Sequence, residues 1–167
     1  MTFKLSYLKL FKPILSFISL FVFCIIFGVI YAGGTDKIDS EVIFYAIVIV
    51  GILALPTVYI FVEYYITTRN KTIEITSESI NVTSEKGSVC YFIKDLDYIK
   101  LCKSAGMEKG NFPWTISEMY YHAEIFTNDG GNIILTSALE PSIDVALELL
   151  KDIRVEVKRT AYSTIYW

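Results

Sequence analysis

At 167 residues, 53% of them hydrophobic, the chain has room for one membrane unit and one small domain, which excludes a larger multidomain architecture. Its net charge of −3 hides a basic N-terminus and an acidic part after Lys71, and that acidic part argues against a nucleic-acid partner or a polybasic membrane clamp, because both need a concentrated positive surface. Three cysteines, Cys24, Cys90 and Cys102, do not form the even, closely spaced set of a disulfide framework, and read as reduced thiols used as small apolar side chains.

The N-terminus is basic, with Lys4, Lys9 and Lys12, and leads into an apolar run over residues 14–32. That run has about the 20 residues needed to cross a hydrocarbon core. It is too long for a signal-peptide core, and Tyr31-Ala32-Gly33 is a poor cleavage site, so it reads as a retained helix. The connector 33–41 is polar and acidic. A second apolar run, 42–62, carries no charged side chain and ends in a collar of Tyr64, Tyr65, Arg69 and Lys71. Two helices are predicted, at about 12–32 and 42–65, forming an antiparallel hairpin within a membrane domain 1–71. Basic residues flank its outer ends, so the positive-inside rule places both termini in the cytoplasm. Neither run has a mid-span ionisable residue, which argues against transport. Glu63, at the end of the second run, is expected to reach the headgroups, and Pro56 to kink the helix. Gly28 with Ala32, and Gly51 with Ala54, are small-residue patches suited to packing within the hairpin or, alternatively, to a homodimer.

After Lys71 the period becomes two. Strands are predicted at 72–76, 79–83, 88–94 and 97–102, followed by a long loop, 103–113. Strand character returns over 116–127, and Asn128-Asp129-Gly130-Gly131 turns the chain into 132–136. Ile143, Ala146, Leu147, Leu150 and Ile153 then fall on one helical stripe behind Pro141, and Val155-Glu156-Val157 alternates again. The predicted class is α+β: a two-helix transmembrane hairpin, then a bent antiparallel sheet (72–167) capped by one C-terminal helix.

The stretches TIEITSESINV, CYFIKDLDYIKL and YYHAEIFTNDGGNIILTS, with the helix after Pro141, resemble the membrane-anchored bacterial pleckstrin-homology-like (PH-like) proteins. That resemblance implies a small PH-type barrel, and a binding or scaffolding role without cofactors. Eukaryotic PH domains hold inositol phosphates through basic residues in an early strand loop. Here the corresponding turn, Ser84-Glu85-Lys86-Gly87, sets one Lys beside one Glu, so that function is not carried over.

His122 is the sole histidine, with no Cys or carboxylate recognised at ligand spacing, so no metal site is expected. Cys90 or Cys102 with His122 has no local support as a nucleophile–base pair. The candidate contact surface is the long loop, where Lys103, Met107, Lys109, Phe112 and Trp114 mix cations with aromatics. These residues suit contact with lipid or with a protein partner; plugging the module's own core is the plainer alternative. The tail 161–167 is expected to dock on the module or the membrane. The resulting expectation is a multi-pass protein of the bacterial inner membrane that displays a non-enzymatic binding module at the cytoplasmic face. The alternative is a small immunity protein that neutralises a toxin.

Overall fold

The computed structural model describes residues 1–33, 39–104, 107, 119–160 and 163–166, without the side chains of residues 17, 20, 24, 32, 42, 46 and 53. The chain opens on a strand, β1 (Thr2–Leu5), in which Phe3 is fully buried between exposed Thr2 and Lys4. Ser6 then caps helix α1 (Tyr7–Ala32), its side chain accepting the Lys9 amide. Gly33 ends the helix with φ 78°, a left-handed conformation that a glycine adopts without strain. Asp39 caps α2 (Ser40–Thr68) by accepting the Glu41 amide at 3.1 Å. Asn70, at φ 60°, turns the chain into β2 (Thr72–Ile75).

Strand β2 pairs antiparallel with β1, in the register Thr2↔Glu74, Phe3↔Ile73 and Lys4↔Thr72. The helical hairpin is therefore an insertion between two neighbouring strands of one sheet. The expected boundary at residue 71 separates β1 from the strand it pairs with.

Both helices are long and apolar enough to cross a membrane, over Tyr7–Tyr31 and Ile43–Thr68. Their middle portions display apolar side chains outward, among them Phe23, Phe27, Ile30, Phe44, Ile52 and Leu55, all more than half exposed. Among the described residues, a Cβ built at Gly28 or Gly51 would meet nothing within 4 Å. Pro56 lies inside α2, as does Pro13 inside α1.

The remaining chain forms β3 (Ser79–Ser84), β4 (Gly87–Phe92), a 3-10 turn (Ile93–Asp95), β5 (Leu96–Ser104), β6 (His122–Thr127), β7 (Asn132–Thr136), β8 (Leu139–Glu140), α3 (Ile143–Leu149) and β9 (Arg154–Thr160). One sheet runs β4-β3-β2-β1-β8 and the other β7-β6-β5-β9. The core lies between them, built from Phe3, Ile73, Ile80, Ile99, Ile125 and Leu135 among others, and Ile143, Ala146 and Leu150 close it from the α3 side.

Two features of the expected fold need correcting. The described strands form two open sheets and no closed barrel. They are also not all antiparallel: β9 runs parallel to β5 from Tyr98↔Arg154 to Ser104↔Thr160, so a strand and not the helix is the last regular element. The hairpin turn before β7 forms as expected, with Gly130 at φ 85° and the Thr127 amide donating to the Gly131 carbonyl at 3.0 Å.

Candidate functional site at the helix–sheet junction

The inner ends of the two helices do not hang free below the sheets. Leu10, Ile60, Tyr64, Tyr120 and Ala138 form a second buried cluster, flanked by Leu5, Phe61, Tyr65 and Ile165. The Tyr120 hydroxyl donates to the Leu10 carbonyl at 2.8 Å, which ties the segment before β6 to α1. Burial raises the Tyr120 phenol well above its usual range. Lys9 donates to the Leu139 carbonyl at 3.2 Å and pairs with Glu140 at 2.5 Å.

On the α2 side the junction is polar and buried. Glu63, expected at the headgroups, is only 5% exposed and faces the module. Its carboxylate accepts the Ile165 amide at 2.9 Å and the Tyr166 amide at 3.0 Å. Thr67 bonds the Tyr166 hydroxyl at 3.2 Å, and Thr68 bonds Thr136 at 2.8 Å. The described part of the tail, 163–166, thus docks on the end of α2. Buried acceptors and donors are matched one to another here, which is what makes such a joint specific.

Next to this joint the outer face of the second sheet carries three cross-strand rungs: Tyr98 with Phe126, Lys100 with Glu124, and Cys102 with His122. The Tyr98 and Phe126 rings stack at 4.6 Å. Lys100 donates to Glu124 Oε1 at 3.0 Å, and that bond holds its ammonium above the usual range. His122 is fully buried, which lowers its pKa, against the opposing pull of Glu124. Burial pushes the Cys102 thiol up, with Glu124 adding to the effect.

The His122 Nδ1 lies 2.8 Å from Ser163 Oγ and 3.2 Å from the Tyr64 hydroxyl, and its Nε2 lies 3.4 Å from Glu124 Oε1. Serine, histidine and carboxylate in contact invite comparison with acyl-transfer triads. Ser163, however, is 1% exposed and donates its hydroxyl proton to the Cys102 carbonyl at 3.0 Å. With both Ser163 and His122 buried, the serine oxygen is closed to a substrate, unlike the exposed nucleophile of a triad.

Sequence reasoning missed this constellation. Glu124 follows His122 by two residues, which in a strand puts both on one face, and that signal was readable. The Cys102↔His122 rung depends on a register set across a long loop, which no local pattern reveals. Cys90, by contrast, is exposed and does not serve as a small core side chain.

Of the expected contact residues, Lys103 lies in β5 and turns back onto the fold, 3.7 Å from Asp144 and 4.9 Å above the Tyr121 ring. Met107 is half-buried, its amide bonded to Ser104 Oγ at 3.2 Å. Lys109, Phe112 and Trp114 lie outside the described residues. A different cationic group is present where α2 meets the β3–β4 turn: Arg69, Lys71 and Lys86 line one open cleft with Ile66 and Glu85. Asn70 holds Glu85 there at 2.9 Å.

A search of curated proteins gives no significant match. A family model described as PH domain matches residues 2–146. The match starts in β1, runs across the helical hairpin and ends within α3, so it treats the strands on both sides of the insertion as one unit. With most of its 167 residues matched, the chain belongs to the PH domain family.

Proposed function

We propose that this protein is a membrane-anchored, non-enzymatic binding module, in which a PH domain is held at a fixed height and orientation against a bilayer. The observation that carries the proposal is the contrast along each helix. The middle portions are apolar and outward-facing, whereas the inner ends are locked into the sheets through Glu63, Tyr64, Thr67, Thr68 and Tyr120. Exposed apolar surface on this scale needs a cover, and a bilayer matches its length. Charge asymmetry supports an orientation with both termini and the module in the cytoplasm and the short acidic connector outside. In that orientation the cleft of Arg69, Lys71 and Lys86 opens near the anionic headgroups.

The partner is a protein of the same membrane, whose encounter with the module is favoured by tethering. The loop that includes Phe112 and Trp114 supplies the contact. Cross-linking in native membranes, followed by purification of the full chain, tests this. A specific protein is expected with the wild type and is lost with Phe112→Ala, Trp114→Ala. Failure to enrich any protein over an unrelated two-helix membrane protein overturns the proposal.

A further inference from the structure

The buried constellation on the outer face of the second sheet brings three metal-ligating groups together. Among the described residues, Cys102, His122 and Glu124 bring one ligand atom each to within 4.8 Å of one another. The Tyr64 hydroxyl donates to the Ser163 carbonyl at 2.8 Å, and Ser163 Oγ donates to the Cys102 carbonyl at 3.0 Å. The Tyr64 hydroxyl also lies 3.2 Å from Ser163 Oγ and from His122 Nδ1, so these groups form one hydrogen-bonded layer behind the ring. With Ser163 Oγ, 2.8 Å away, accepting from Nδ1, the imidazole is the Nδ1–H tautomer that a metal ligand at Nε2 requires. In that tautomer the opposite nitrogen, Nε2, presents a lone pair. It is aimed from a fully buried ring at the Glu124 carboxylate, 3.4 Å away, which also offers only lone pairs. Cys102 Sγ completes the group, 3.9 Å from the same oxygen.

Tetrahedral ligands at zinc bond lengths stand about 3.3–3.8 Å apart. The two separations named above, 3.4 and 3.9 Å, are close to that spacing. A histidine whose far nitrogen is pinned by a second layer of hydrogen bonds is also the usual arrangement behind a metal ligand. We infer that Cys102 Sγ, His122 Nε2 and Glu124 form a binding site for a divalent transition ion of the zinc class. Sulfur, imidazole and carboxylate together suit such an ion and not magnesium or calcium. Three protein ligands leave one tetrahedral position for water. Binding forms an M–S bond at Cys102 and breaks its S–H bond, the proton passing to solvent. Lys100, bonded to Glu124 at 3.0 Å and one-quarter exposed, is the competing cation and swings outward when the ion binds.

The test uses the full chain in detergent with Cys24→Ser and Cys90→Ser, leaving Cys102 as the one thiol. Cobalt(II) alone is the probe. One ion per chain is expected, with a thiolate-to-cobalt charge-transfer band that zinc abolishes. Ser163→Ala is expected to weaken cobalt binding about tenfold by freeing the imidazole. Lys100→Met is expected to strengthen it about tenfold by removing the competing charge. A metal-free melt establishes that each variant is folded. Should the two serine substitutions unfold the chain, the wild type carries the same test through zinc protection of Cys102 from alkylation, read by mass spectrometry. Cobalt uptake without a thiolate band, no uptake by folded protein, or Cys102 alkylated at the same rate with and without zinc overturns the inference.

Discussion

Glu63 shows how much a single residue can decide in this molecule. Its buried carboxylate holds two part-buried backbone amides of the tail at the foot of α2. Glu63→Ala strands them and is expected to cost about 1–3 kcal/mol. Amide exchange at Ile165 and Tyr166 is expected to accelerate at least tenfold, while exchange in β6 changes little. Glu63→Gln keeps a carbonyl acceptor and is expected to lose less. Tyr120, with Tyr121 beside it, contributes to the alkaline behaviour, because burial raises both phenols. Its buried phenol ionises less readily than an unfolded tyrosine, whose ordinary value is 10.0. Stability is therefore intact below that value and falls as pH rises above it, because the unfolded chain releases its proton first. Tyr120→Phe is expected to cost about 1 kcal/mol at neutral pH, through loss of the bond to Leu10, and to flatten the alkaline decline. Thermal melts from pH 8 to 11 read both effects.

At the level of elements, long periodic segments were legible and short or non-local ones were not. The two apolar runs, the strands opening at Thr72 and Ser79, the turn at Gly130 and the helix at Ile143 all express local patterns of burial. Strand β1 does not. It has four residues, its lysine blends into a basic N-terminal flank, and its partner β2 is adjacent in space but separated from it in sequence by residues 6–71. Strand β8 has two residues, and the parallel pairing of β9 with β5 is a choice of neighbour that alternation cannot encode. The candidate junction was hidden for the same reason, since Glu63 meets residues about a hundred positions away. Phe3→Ala is expected to destabilise by about 3–5 kcal/mol, because the ring is fully buried between the sheets. A fragment beginning at Thr72 leaves the facing edges of β2 and β8 unpaired and is expected to aggregate, as size-exclusion chromatography would show. Adding back a peptide of residues 1–6 is expected to restore part of the monomer.

For the whole molecule, inserting the helical hairpin between neighbouring strands joins helices and sheets directly. The chain enters α1 straight from β1 and leaves α2 almost straight into β2, so a tilt of the helices is transmitted to the sheet without a flexible linker. Under the proposed membrane anchoring, a PH domain built this way would present one fixed face to the bilayer, unlike one tethered by a loose chain. Everything then rests on whether the apolar middles of α1 and α2 span the membrane. The most direct test is paired accessibility in intact bacterial cells, with single cysteines at Ser40→Cys, at the exposed start of α2, and Asn128→Cys, on the exposed β6–β7 turn, in a background free of native cysteine. A membrane-impermeant maleimide is expected to label Ser40→Cys and to reach Asn128→Cys only after lysis. Equal labelling, or equal protection, of the two positions in intact cells would contradict a membrane-crossing hairpin.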